Sequence, residues 1–268
     1  MSRVIDGPSA RHLGRAPRPG HLLTASLLTL VVSGSIFGFL VLRVVGSDGP
    51  IGADSRLLRD VVGHREDWLT PVARVVTNLG AGPLLYAVVI TLGVALWWRT
   101  REWMLPVCAV ALLWAGQAVR VAINHAIGRP RPPRDLWLVE PGSFAFPSGH
   151  TEMATVGYAL AAVLLVRLLS GGRRMVGAVS TVAAVLAIMI GLSRVYLGVH
   201  WPSDVAGGWS FGVAWLALAA TVACLWQRRS AGPDPGPDPD PDPGSGSGSE
   251  SDPATGDADG SAPRETPD

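Results

Sequence analysis

Six apolar blocks, each close to the length needed to cross a bilayer, constrain this chain more than any other feature. They fall at roughly 22–45, 83–98, 104–124, 153–169, 175–192 and 205–226. A spanning helix needs about 20 mostly apolar residues, whereas the helices of a soluble domain read as short amphipathic runs. With 48% of its 268 residues apolar, the chain is expected to be all-α: a polytopic membrane protein built as a six-helix transmembrane bundle. The second block is the shortest, and "WWRTREW" at its end supplies the aromatic and cationic residues that anchor a helix at the interface. Cys108 and Cys224 fall inside blocks and read as small packing residues rather than a disulfide.

Arginine sets the expected orientation. All 22 basic residues are Arg. Arg3, Arg11, Arg15 and Arg18 precede the first block, Arg99 and Arg101 follow the second, Arg173 and Arg174 follow the fourth, and Arg228 and Arg229 follow the sixth. The positive-inside rule then puts both termini in the cytoplasm and the segments 46–82, 125–152 and 193–204 outside. Asp54 and Ser261 serve as accessible markers of the outer and inner faces. The first apolar run is too long for a cleavable signal peptide, and no small-residue cleavage site ends it.

The expected organisation is a cytoplasmic arm over 1–21, a six-span membrane domain over 22–229, and a disordered Pro/Asp/Gly/Ser-rich tail over 230–268. The tail has almost no apolar side chains with which to offset the entropy of ordering it. From Ala231 it carries ten acidic residues and one Arg, about −9, against about +10 for the residues before it. A solvated terminus accounts for such a tail, and a partner-binding or regulatory arm is the alternative.

Three short stretches at the outer ends of the blocks carry the polar chemistry: "NHAIGRPRPP" (124–133), "FPSGHTE" (146–152) and "SRVYLGVHWPSD" (193–204). They gather Arg129, Arg131, Ser148, His150, Arg194, His200 and Asp204 on one side of the membrane. Ionisable groups near membrane depth face a bundle interior or a wet cavity, so these are expected to converge. Guanidinium forks match phosphate oxygens, and a Ser148-Gly149 pair opening a helix adds a hydroxyl and free N–H groups at the positive end of the helix dipole. Neutral His200 can attack phosphorus if a carboxylate on its other nitrogen fixes the tautomer, and Asp204 is the obvious partner. Pro202 suggests that the last helix starts there, with Asp204 in its first turn. His150 can protonate the leaving oxygen and later activate water. This chemistry needs no metal and no cofactor.

These stretches resemble the signature of the type 2 phosphatidic acid phosphatase superfamily, membrane lipid phosphatases that include undecaprenyl-diphosphatase-like members. "PSGH" matches at Pro147 to His150, and "SRVYLGVHWPSD" matches the third motif at each required position. The first motif departs from the pattern, because Asn124 stands seven residues before Arg131, where the family has lysine. The resemblance implies His200 as the nucleophile that forms a phosphohistidine, His150 as the general acid and Asp204 as the orienting carboxylate. It also implies phosphate binding by Arg131, Ser148, Gly149 and Arg194. Arg120, one turn deeper than Asn124 on the same helical face, is expected to supply the missing cation while Asn124 contributes a hydrogen bond. The competing reading pairs Arg120 with a carboxylate such as Glu152 or with a backbone carbonyl, and leaves the pocket to Arg129, Arg131 and Arg194.

The expected activity is hydrolysis of a lipid phosphate or diphosphate at the external face. Phosphatidic acid, phosphatidylglycerol phosphate and undecaprenyl diphosphate all fit. The implied partners are that lipid and the bilayer, with no nucleic acid. A lipid phosphotransferase working through the same intermediate is the alternative within enzymes, and a non-catalytic lipid-phosphate binder the alternative outside them. Transport fits less well, because the motifs cluster at one face rather than at the midplane.

Overall fold

The computed structural model describes residues 19–47 and 49–230. Most of the N-terminal arm and the acidic tail with Ser261 lie outside the described residues, as does the disorder expected of that tail. Eight α-helices follow in order: α1 (Pro19–Val45), α2 (Asp54–Gly63), α3 (Leu69–Leu79), α4 (Gly82–Thr100), α5 (Met104–Ile127), α6 (Gly149–Leu168), α7 (Arg173–Tyr196) and α8 (Pro202–Ser230). Six of them, α1 and α4 to α8, are long and apolar enough to cross a membrane, and regular structure among the described residues is entirely helical. The short α2 and α3 fill the 46–82 segment, for which the apolar pattern specifies no structure.

Helix α6 is the axis of the bundle. It packs against α4, α5, α7 and α8, and 56% of its apolar window is buried, against 6% for α1. Leu85 and Val89 of α4, Leu113 of α5, and Met153, Val156 and Leu164 of α6 form the largest core cluster. The bundle turns other large apolar side chains outward, among them Leu28, Val31, Phe39 and Leu42 on α1 and Trp98 and Trp114 on α4 and α5. So large an exposed apolar surface would drive association in water. In hydrocarbon it costs nothing, and the chain is a multi-pass membrane protein.

Six crossings bring the 46–81, 128–148 and 197–201 segments to one end. They are stitched together there by Arg65, which donates from Nε to Tyr196 O at 2.9 Å and from Nη2 to Leu136 O at 2.8 Å, and by Leu138 N–H on Leu197 O at 3.0 Å. Two helices reach further into this end than the apolar blocks indicate. Helix α6 begins at Gly149 rather than near residue 153, and α8 at Pro202 rather than near 205. The first turn of α6 faces a polar cavity and that of α8 a buried ion-pair cluster, so the polar residues there do not end the helices, and the starts are those marked by the Ser148-Gly149 pair and by Pro202.

Candidate active site

The second and third motifs are bolted to each other at the start of α6 and α8. Ser148 N–H donates to Asp204 O at 3.0 Å. The "GG" of α8 makes this approach possible: a Cβ on Gly208 would sit 2.8 Å from both Ser148 O and Thr151 Cβ. With Pro202 in the first turn, Asp204 reaches back so that Oδ2 accepts Trp201 N–H at 2.8 Å, the acid half of a capping box. The same Oδ2 lies 3.4 Å from His200 Nδ1. His200 Nδ1 makes no hydrogen bond at that distance, and contacts of this kind commonly tighten only when substrate binds.

His200 Nε2 faces the other way, 3.0 Å from Arg131 Nη1. A guanidinium can only donate, so Nε2 holds the lone pair and Nδ1 the proton. Burial first, then the charges of Arg131 and Arg194 and the neighbouring His150, push the imidazole well below the ordinary histidine range. The resident form is therefore the neutral one. Burial also lowers Arg131 to about 10, where it is still a cation at neutral pH. Its four hydrogen bonds leave it little freedom, since besides His200 it holds Ser143 O at 2.7 Å, Val199 O at 2.6 Å and Phe144 O at 3.0 Å.

Nε2 opens into a polar cavity of about 330 Å³ whose lining includes Arg120, Arg131, Arg194, Gly149, His150 and His200. The first N–H groups of α6 have no partner within the helix and point to this end. Arg194 is fixed by donation from Nη1 to Thr77 Oγ1 at 2.8 Å. Arg120 lies beneath the start of α6: a Cβ on Gly149 would sit 3.2 Å from Arg120 Cζ, a tight contact to which the guanidinium would have to yield. Arg120 Nε donates to Gln117 Oε1 at 3.1 Å. Glu152, the carboxylate expected from the sequence as its possible partner, is fully buried with neither oxygen hydrogen-bonded.

Four residues sit elsewhere than the pattern suggested. Asn124 does not line the cavity. It is fully buried, and both hydrogens of Nδ2 go to backbone carbonyls, Phe144 O at 3.0 Å and Phe146 O at 2.9 Å. Its amide therefore ties down the approach to the PSGH turn and has no hydrogen left for a phosphate. Ser148 is also buried behind the cavity wall, where its hydroxyl accepts from Thr151 Oγ1 at 2.9 Å. Arg129 turns away from the cavity to pair with Asp204 and with Asp54. Asp54 is itself 3% exposed, which corrects its expected use as an accessible outer marker. Asp54, Thr77 and Gln117 are supports that sequence reasoning missed, and each is an isolated polar residue with no motif around it.

Comparison with known proteins places these motifs in context. The model of the PAP2 superfamily matches residues 103–229. Phosphatidylglycerophosphatase B of Bacillus subtilis strain 168 is 31% identical over 185 residues, covering 68% of this chain and 89% of its own. The decaprenylphosphoryl-5-phosphoribose phosphatase of Mycobacterium tuberculosis is 32% identical over 157 residues, 57% of this chain and 76% of its own. Among solved structures, the transmembrane PAP2-type phosphatidylglycerolphosphate phosphatase from Bacillus subtilis superposes with a TM-score of 0.60 at 26% identity, covering 81% of this chain and 98% of that one.

Proposed function

The chain belongs to the PAP2 superfamily and is a membrane phosphatase acting on lipid phosphates, and on that premise we propose that it works through a phosphohistidine at the external membrane face. The observation that carries this reading is the orientation of His200, with Nε2 on a cavity of guanidiniums and Nδ1 toward a buried carboxylate.

In the first step Arg131 Nη1 turns its hydrogen from His200 Nε2 to a phosphoryl oxygen, and the freed Nε2 lone pair attacks phosphorus, forming a P–N bond as the P–O bond to the lipid breaks and the leaving oxygen takes a proton from His150. In the second step His150 accepts a proton from water, whose oxygen attacks phosphorus. The P–N bond breaks and inorganic phosphate leaves. Arg131, Arg194 and the N–H groups at the Gly149 turn hold the phosphoryl oxygens. Arg120 supplies the cation that Asn124 does not. Preorganised donors of this kind act where charge develops in the transition state. Asp204 orients His200, while Ser148 and Asn124 act as structural supports.

A lipid substrate is supported by the surface next to the cavity. Gly82 of α4 and Gln117 of α5 line the polar cavity, and one turn deeper on the same helices Tyr86 and Trp114 begin an apolar groove that continues past Ile90 and Val107 to Trp97 and Trp103. A headgroup in the cavity would leave its hydrocarbon chain in that groove. Phosphatidylglycerol phosphate is the preferred candidate, because the relative matched over 89% of its length carries that activity in its name.

The test is phosphate release by the purified chain in detergent from phosphatidylglycerol phosphate, phosphatidic acid and undecaprenyl diphosphate, with and without EDTA. Turnover highest on the first, insensitive to the chelator and abolished by His200→Ala in a folded protein is the expected result. Full activity in His200→Ala would exclude the phosphohistidine, and inhibition by EDTA reversed by a divalent metal would exclude the metal-free route.

A further inference from the structure

Behind the site, one guanidinium is shared between two carboxylates. Arg129 Nη2 donates to Asp54 Oδ2 at 2.7 Å, while Nη1 donates to Asp204 Oδ1 and to Ser203 Oγ, the latter at 2.8 Å. The Ser203 hydroxyl in turn donates to Asp54 Oδ2 at 2.6 Å, and Ser203 N–H donates to Asp54 Oδ1 at 2.9 Å. Ile51 N–H is the remaining donor to Asp54 Oδ2, at 3.1 Å. All four side chains are buried, and Asp54 comes from α2, outside the stretch that matches the family model.

The charges around His200 give this arrangement its meaning. When Nε2 becomes bonded to phosphorus, the imidazole acquires positive charge, and Arg131 and Arg194 on the cavity side both oppose it. Asp204 is the carboxylate next to Nδ1. Arg129, paired with Asp204 alone, would largely cancel the charge of the one carboxylate that stands beside His200 Nδ1. Asp54 supplies a second carboxylate to the same guanidinium. With both carboxylates ionised, the Asp54–Arg129–Asp204 set carries a net negative charge, and Asp204 Oδ1 is occupied so that Oδ2 stays aimed at Trp201 N–H and His200 Nδ1.

We propose that Asp54 is a positioning residue for phosphoryl transfer: through Arg129 and Ser203 it maintains the charge and direction of Asp204, and thereby stabilises the cationic form of His200. The proposal rests on the phosphohistidine reading above. It differs from a purely structural tie among α2, the Arg129 loop and α8 in what it requires of the carboxylate, namely its charge rather than its shape.

The experiment compares the full-length chain with Asp54→Asn, Asp54→Glu and His200→Ala in detergent. It measures kcat and KM on the preferred lipid phosphate, the inhibition constant of inorganic phosphate, and the melting temperature. Asp54→Asn keeps the shape and removes the charge, and kcat should fall about 100-fold, the loss typical of one preorganised electrostatic group. KM and phosphate inhibition should stay within about threefold, because the phosphate-binding groups untouched by the change supply that uniform binding. Asp54→Glu, which keeps the charge at the cost of shape, should retain more kcat than Asp54→Asn. Three results would overturn the proposal: Asp54→Asn with kcat near native, Asp54→Glu slower than Asp54→Asn, or an Asp54→Asn protein that misfolds or loses phosphate inhibition in step with kcat. The last assigns Asp54 to the fold alone. Failure of the phosphohistidine reading is seen separately, as activity that survives His200→Ala, and it removes the proposal with it.

Discussion

Replacing Asn124 by alanine separates a structural support from a phosphate ligand. Asn124 Nδ2 spends both hydrogens on Phe144 O and Phe146 O. In the alanine variant Phe144 O keeps its bond from Arg131 Nη2 at 3.0 Å, so that loss is about 0.5–1.5 kcal/mol, whereas leaving the buried Phe146 carbonyl unsatisfied costs about 1–3 kcal/mol. Removing Asn124 Oδ1, which is buried without a partner, returns roughly 1 kcal/mol. The net destabilisation is then about 0.5–3.5 kcal/mol, which for a chain of this size lowers Tm by roughly 1–14 °C. Turnover should suffer only modestly, about tenfold at most, because this loss is well short of that for a transition-state donor. The assay is a thermal melt in detergent alongside kcat on the preferred lipid phosphate. A variant that melts with the native protein but turns over about 100-fold more slowly would behave like a lost transition-state donor, and would refute the assignment of Asn124 to the turn.

Arg120→Gln should reduce kcat roughly 100-fold with little change in Tm, as expected for one preorganised donor; a rate within about twofold of native places Arg120 outside the site. The depressed His200 pKa has two opposite consequences. The nucleophile stays deprotonated as pH falls through about 6.5, so kcat/KM should hold there, and a value that halves at that pH would mean an unshifted histidine. Over the same interval the unfolded chain binds a proton that the folded chain refuses, so stability should fall as pH drops below about 6.5, and His200→Ala should remove that part of the slope in Tm against pH. For orientation, Glu140 is exposed at the rim of the cavity, so Glu140→Cys in a Cys108→Ala/Cys224→Ala background should react with an impermeant thiol reagent on intact cells, and failure to label would invert the proposed topology.

What could be read from the sequence follows the range over which each physical constraint acts. Lipid imposes one solvent on some 20 consecutive residues, so the six spans were legible and their number stands. The apolar pattern alone starts α6 and α8 three or four residues late, because the first turns of these helices carry polar groups that serve the cavity and the buried ion pairs behind it, whereas the Ser148-Gly149 pair and Pro202 marked both starts correctly. His200 and Asp204 were legible for another local reason, since four residues along the chain set both the capping geometry and the pairing. Asn124 shows where this stops. Its position in the chain puts it at the correct end of α5, but the direction of its amide depends on carbonyls 20 and 22 residues away. Asp54 lies further still from any local signal. Its partners stand 75 and 149 residues along the chain, it begins a ten-residue helix too short to register as a span, and read alone it resembles any loop carboxylate. The groups proposed to touch phosphate are legible where the chain itself fixes their spacing, while those proposed to set the charge behind His200 emerge only when α2, the Arg129 loop and α8 meet.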